Sequence, residues 1–354
     1  MTRVEPLDWL RGLMAGSIML YHLASWQLDE PGADSVLGRL GIYGVSIFFV
    51  LSGLSMATAS HAQMTDLGGV GRFLLRRVFR MWPLLWLAIV ALLLGNLVRG
   101  AAIPDAWVLF LNFTTLFGFI DPHAYVNTGA WSIGNEMVYY ALTPLWLAAW
   151  RWRPWLGSLL SALAWVPAIV VATSILTPTE TLSSQWEDYI QPWNNFGLYS
   201  SGIALFFWAR HTTWPPWVSP TLILMASGLF VLTPAAGNLI VLVVGWPRLL
   251  LCLASVLVVL GFFRLQQSPP AFITRPLGAL GVATYGVYLL HPFVYSVVKG
   301  VLRAVGASSP WLIVVLTVVV TCPLALVVYE RFEAPLIRLG RALSSSRPHE
   351  RGVA

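Results

Sequence analysis

The chain has 354 residues and a formal net charge of +6, with 57% hydrophobic and only 10% charged residues. A soluble domain is about a quarter charged, so there are too few charges here to clothe a water-facing shell, and the mean hydropathy of +0.73 agrees. The composition is that of an integral, all-α membrane protein and excludes disordered, collagen-like and coiled-coil chains. The positive charge comes from 20 Arg and the single Lys299. No patch interleaves exposed aromatic and basic residues, so nucleic acid is excluded as a partner. The arginines are read instead as charges of cytoplasmic loops. Cys252 and Cys322 each lie in an apolar run and form neither a disulfide framework nor a zinc cage.

A spanning helix takes roughly 20 mostly apolar residues. In chain order such runs occur at 7–26, 41–59, 82–98, 130–150, 155–176, 196–208, 218–233, 239–263, 277–299 and 311–329. The sixth and seventh are short. The stretch 107–120 is too short to cross and is expected to re-enter or lie in the interface. The first run is too long for a cleavable signal and carries Arg11 and His22. Arg72, Arg76, Arg77 and Arg80 precede the third span, and Arg331, Arg338 and Arg341 follow the last. With ten spans these fall on one side, which is then cytoplasmic, with both termini inside. The fold expected is a polytopic transmembrane helix bundle of about ten spans plus one re-entrant or interfacial segment.

Ionisable groups within spans are costly, so Arg11, His22, Glu136, Arg248 and His291 are candidates for function. Arg11 and His22 are eleven positions apart, which places both on one helix face about 16 Å apart along the axis. Plainer readings exist for each: an arginine snorkelling to headgroups, a packed histidine, an interfacial carboxylate. The expected topology sets His22, Glu136 and His291 at a common depth near the outer face. A histidine beside a carboxylate is poised as a general base. Pro292 follows His291 and frees a helical carbonyl, which predicts a kink bordering a cavity. His291 can equally be a structural donor to such a carbonyl. Arg77 and Arg80 share a helix face at the inner mouth of the third span, as phosphate ligands or as topology anchors. No Gly-x-Ser-x-Gly elbow, Walker A sequence or His-Glu-x-x-His occurs.

Six segments, in order, carry a resemblance. They are Leu7-Asp8-Trp9-Leu10-Arg11 through Tyr21-His22, the run from Gly44 to Gly53, Arg76 to Pro83, Trp131-Ser132-Ile133-Gly134-Asn135-Glu136, Tyr285 to Pro292, and Tyr329 to Pro335. Over residues 7–339 the chain resembles acyltransferase family 3, the integral membrane O-acyltransferases. The resemblance implies one transmembrane acyltransferase domain over residues 1–343, with 344–354 as a loose cytoplasmic tail. It implies transfer of an acyl group, commonly acetyl, from cytosolic acyl-CoA (acetyl-CoA) to a hydroxyl of a carbohydrate or lipid-linked glycan, in the bacterial cytoplasmic membrane. His22 is then the catalytic base, with Glu136 and Arg11 beside the reaction. Arg77, Arg80 and Arg11 handle the acyl-CoA, and Trp131, Tyr288 and His291 face the acceptor. The family often carries an acidic residue where this chain has Ser46. The rival expectation is a proton-coupled transporter or flippase of a glycan or lipid-linked intermediate, since buried Arg, His and Glu beside a kinked helix suit a carrier too.

Overall fold

The computed structural model describes residues 4–307 and 309–345, and every regular element among them is helical. Helix α1 (Glu5–Gln27) opens with Pro6 in its first turn, where a missing N–H is harmless, and with Glu5 and Asp8 at the positive end of its dipole. Helix α2 (Val36–Ser60) starts at Ser35, whose hydroxyl accepts from the Gly38 N–H at 2.9 Å. Helix α3 (Leu67–Arg99) starts at Asp66, whose carboxylate accepts from the Gly69 N–H. The stretch 107–120 becomes α4 (Ala106–Thr114) and α5 (Phe117–Ile120), of 9 and 4 residues, each too short to span.

The second half continues with α6 (Trp131–Trp152), α7 (Pro154–Leu163) and α8 (Val166–Val170), the last extended by a π-turn at Val171–Ile175. Then come α9 (Trp186–Tyr189), α10 (Pro192–Ala209), α11 (Val218–Leu232), α12 (Gly245–Phe263), α13 (Ala271–Val282) and α14 (Thr284–Ala304). Helix α15 (Pro310–Val328) passes through a π-turn at Tyr329–Glu333 into α16 (Ala334–Leu343).

Five described helical segments are long and apolar enough to cross a membrane: Val36–Ser60, Leu67–Arg99, Pro154–Ile175, Gly245–Phe263 and Pro310–Leu343. Counting α13 with α14 as one broken span makes six. Helices α1 and α6 have the length, at 23 and 22 residues, but carry charges: Glu5, Asp8 and Arg11 in one, Glu136 and Arg151 in the other. These polar helices face the interior, where α1 alone buries Leu7, Asp8, Leu10, Met14 and Ile18.

Two expected spans are redrawn. The run 277–299 is not one helix: it breaks at Ala283, where α13 and α14 meet at a 77° bend. The break lets α13 lie against α1 at the closest range, Gly12 facing the Leu277 carbonyl and Gly281 facing that of Asp8, with no room for a Cβ at either. Helix α14 continues through Pro292 to Ala304. The run 239–263 begins as a 3₁₀ turn at Leu239–Leu242, and helix starts only at Gly245. Pro247 lacks the N–H that would tie it back to Val243, so the helix cannot extend further toward the N-terminus. Ser344 belongs to the packed structure and not to a loose tail: it is buried and accepts from Arg76 Nε at 2.7 Å. Residues 346–354 lie outside the described residues.

Candidate active site

Helices α1, α2, α3, α6, α13 and α14 wall a cavity of about 530 Å³, and Arg77, Arg80 and Arg341 line it. The four arginines of α3 divide by what they touch. Arg72 lies 3.8 Å from Asp66. Arg76 donates to Ser344 Oγ at 2.7 Å and to Gln63 Oε1 at 2.8 Å. Arg72 thus pairs with the cap of its own helix, and Arg76 ties α3 to its neighbours. Arg77 and Arg80, three apart on the helix, reach the cavity. The Arg77 guanidinium lies over the rings of Phe73 and Tyr140, at 5.6 and 5.8 Å, and its Nε is buried with no hydrogen-bond partner among the described residues. Arg80 stands 3.7 Å from the buried Glu333. Arg341, from α16, also lines the cavity, and nothing in its local sequence separates it from its basic neighbours.

Arg11 also lines the cavity, but not as a free cation. One arm donates to Asp8 at 2.7 Å and the other to the Ser55 hydroxyl of α2. Asp8 was not singled out from the sequence, although its i,i+3 spacing to Arg11 is that of a helical ion pair. Further along the cavity, Glu136 accepts from Ser52 of α2 and from Tyr140, one turn away on its own helix. Tyr288 closes this end: its hydroxyl donates to the Gly129 carbonyl at 2.8 Å and lies 3.0 Å from Ser132 Oγ.

The two histidines meet. His22 Nδ1 and His291 Nε2 are 2.9 Å apart, although the residues are 269 positions apart in sequence. His291 Nδ1 lies 3.0 Å from the Val287 carbonyl, one turn back on α14. Trp26 runs nearly parallel to both rings, at 14° to each. His291 is buried and His22 half-buried. The expected pairing of His22 with Glu136 is corrected: the carboxylate spends its bonds on Ser52 and Tyr140, and the imidazole finds an imidazole. His22 is not a wall of the 530 Å³ cavity either. Tyr288 lies between, its ring 6.4 Å from that of His291. A second cavity of about 330 Å³ is lined by Trp26, Thr128, Pro292, Tyr295 and Ser296. Residues next to the pair thus line both cavities, Tyr288 in the one that holds the arginines and Trp26 and Pro292 in the other.

Four other residues singled out by the sequence line neither cavity. Trp131, expected to face an acceptor, is buried edge-on against Phe49, Trp186 and Tyr189; its neighbour Ser132 takes the place on the cavity wall. His291, also expected to face an acceptor, turns its ring nitrogens to His22 and to backbone. Ser46 is buried in α2. Arg248 donates to the Asn194 backbone carbonyl and side chain at 2.9 and 2.7 Å and lies over Tyr189, which makes it a tie between α12 and α10.

Known proteins are similar to this chain over half to most of its length. The exopolysaccharide production protein ExoZ of Rhizobium meliloti is 27% identical over 92% of this chain and 96% of its own. The putative peptidoglycan O-acetyltransferase YrhL of Bacillus subtilis is 26% identical over 94% of this chain and 55% of its own. The acyltransferase MdmB of Streptomyces mycarofaciens is 27% identical over 51% of this chain and 47% of its own. No solved structure matches. The acyltransferase domain that defines acyltransferase family 3 matches residues 5–330, and the chain belongs to that family.

Proposed function

We propose that this protein transfers an acyl group, acetyl in the first instance, from cytosolic acyl-CoA to a hydroxyl of a glycan at the opposite face of a bacterial cytoplasmic membrane. The observation that carries the reading is the 530 Å³ cavity lined by Arg77, Arg80 and Arg341 and by Tyr288, whose ring is 6.4 Å from that of His291 in the histidine pair. A cluster of guanidinium groups, one with a buried unpartnered Nε, fits a polyphosphate. The names of ExoZ and YrhL, an exopolysaccharide production protein and a putative peptidoglycan O-acetyltransferase, favour a glycan acceptor.

The same reading makes ten crossings of α1, α2, α3, α6, α7 with α8, α10, α11, α12, α14 and α15, with both termini cytoplasmic. The arginines of α3 and α16 then lie inside and the Trp26 cavity outside. The diphosphate of CoA sits at Arg77, Arg80 and Arg341, and the pantetheine arm runs past Arg11 toward Tyr288. The acceptor enters on the Trp26 side. His22 takes the proton of its hydroxyl while that oxygen attacks the thioester carbon. The carbon–sulfur bond breaks, and the departing thiolate recovers the proton from the imidazolium. A positioned base contributes about 10²–10⁴-fold in rate, and alignment of two substrates adds to it.

Purified protein in vesicles, given radiolabelled acetyl-CoA and an exopolysaccharide fragment, tests this. Label on the glycan, lost in His22→Ala at normal protein level, is the expected outcome. The proton-coupled carrier or flippase reading expects glycan counterflow with no transfer of label, and that result would overturn the enzyme.

A further inference from the structure

The geometry of the histidine pair fixes where its protons are. Given the small radius of an imidazole, ring centres 5.1 Å apart with nitrogens 2.9 Å apart require both nitrogens to lie almost on the line between the centres. The rings are also within 18° of parallel. The contact is therefore an in-plane hydrogen bond between ring edges, not a face-to-face stack. One nitrogen must carry a proton and the other a lone pair.

The Val287 carbonyl decides which. A carbonyl oxygen only accepts, so His291 Nδ1, 3.0 Å from it, carries a proton. His291 is 1% exposed and has no carboxylate within ion-pair distance among the described residues. It is therefore held neutral, because an unpaired imidazolium in such a site is costly. A neutral ring protonated on Nδ1 has its lone pair on Nε2. That atom accepts, so His22 Nδ1 donates. The opposite arrangement would set the lone pair of His291 Nδ1 against that of the Val287 carbonyl. His22 Nε2 then keeps the free lone pair. It has no hydrogen-bond partner among the described residues, and it is not one of the sealed unpartnered atoms.

We propose that His291 is a positioning residue that locks His22 in the Nδ1–H tautomer, so that the lone pair of the base sits on His22 Nε2. The chain runs from the Val287 carbonyl through both rings to a single exposed base atom. It rests on the reading of His22 as the base. When Nε2 takes a proton, His22 becomes an imidazolium whose Nδ1–H still donates to His291, so no hydrogen bond has to be remade during the reaction. Trp26, nearly parallel to both rings, holds the common plane.

Two measurements test it on the full-length protein in detergent. Histidine-selective ¹⁵N NMR, with His22 assigned by its loss in His22→Ala, is expected to show His22 neutral, protonated on Nδ1 and bare on Nε2. In kinetics with acetyl-CoA, His291→Leu removes the acceptor for His22 Nδ1–H and is expected to lower kcat about a hundredfold, with the KM for acetyl-CoA unchanged. His291→Gln places an amide oxygen near the former Nε2 and is expected to restore kcat to within about tenfold of the parent. A His22 signal protonated on Nε2, or wild-type kcat in His291→Leu, overturns the proposal. Wild-type kcat in His22→Ala instead overturns the base assignment beneath it, so the two failures are distinguishable.

Discussion

Arg80 and Glu333 face each other across 3.7 Å beside the basic cavity, and the carboxylate is buried with neither oxygen in a hydrogen bond among the described residues. Glu333 ends the π-turn between α15 and α16, so one irregular turn both redirects the chain and brings a counter-charge to α3. Arg80→Ala strands that carboxylate, and an unsatisfied buried acceptor costs about 1–3 kcal/mol. The double variant Arg80→Ala/Glu333→Gln carries no stranded charge. It is expected to unfold at a higher temperature than Arg80→Ala alone, as read by thermal denaturation in detergent. Equal melting of the two would show that Glu333 does not depend on Arg80.

The arginines of α3 and α16 are expected to separate by what they touch. Arg77→Ala and Arg341→Ala each remove a guanidinium from the cavity wall. A charge-assisted contact is worth about 1.5–3 kcal/mol, so each is expected to raise the KM for acetyl-CoA by about tenfold or more, with kcat and membrane level near normal. Arg76→Ala breaks the ties to Ser344 and Gln63. It is expected to lower the amount of folded protein and leave KM alone. Initial rates over a range of acetyl-CoA, normalised to protein by blotting, read both. A raised KM in Arg76→Ala would mean that all four arginines form one field.

Arg11 makes two bonds at once, to Asp8 on its own helix and to Ser55 on α2. A planar fork can do this and an ammonium cannot match it. Arg11→Lys is therefore expected to lose most of the acyl-CoA dependence that Arg11→Ala loses, and Ser55→Ala to lose less than either. Titration of acetyl-CoA into each variant by calorimetry is the check. Full affinity in Arg11→Lys would reduce Arg11 to a point charge.

That His22 and His291 come together was legible in the sequence, and which way each helix turns about its axis was not. Counting along the spans sets His22, His291 and Glu136 at one level, and His22 and His291 do meet there. Which two of three groups at one level touch depends on how the helices rotate about their axes. That rotation is set by close packing such as Gly12 and Gly281 between α1 and α13, which no motif announces. Glu136 consequently turns to Ser52 and Tyr140. The pattern Arg77/Arg80 was readable because three-residue spacing is a property of one helix. Arg341 was not, because it comes to the same cavity from α16, more than 250 residues later. The i,i+3 spacing of Asp8 to Arg11 is equally local, but a carboxylate near a helix start already has a reason to be there, so the spacing alone does not mark a pair. Trp131 belongs to a recognised motif, yet its ring fills the core while Ser132 beside it reaches the cavity. A motif marks a turn of helix and leaves open which of its side chains faces the ligand.

The wall between the cavity and the histidine pair hangs on Gly129. Its φ of 78° lies in the left-handed region, which a side chain disfavours. A Cβ there would also come within 2.6 Å of the Tyr288 hydroxyl, whose bond to the Gly129 carbonyl holds the ring in place. Gly129→Ala therefore strains the backbone and pushes Tyr288 toward His291, which begins the next turn of α14. Tyr288→Phe removes only the hydroxyl and leaves the ring, at a cost of about 1 kcal/mol for the lost hydrogen bond. Tyr288→Phe is expected to retain most of the wild-type kcat. Gly129→Ala is expected to lose about tenfold or more in kcat and to melt lower, since misplacing groups near the reacting atoms is expensive in rate. The double variant Gly129→Ala/Tyr288→Phe, in which the colliding hydroxyl is absent, is expected to recover part of that kcat. If it recovers none, the strain at residue 129 acts through the backbone of the turn leading into α6 and not through the tyrosine.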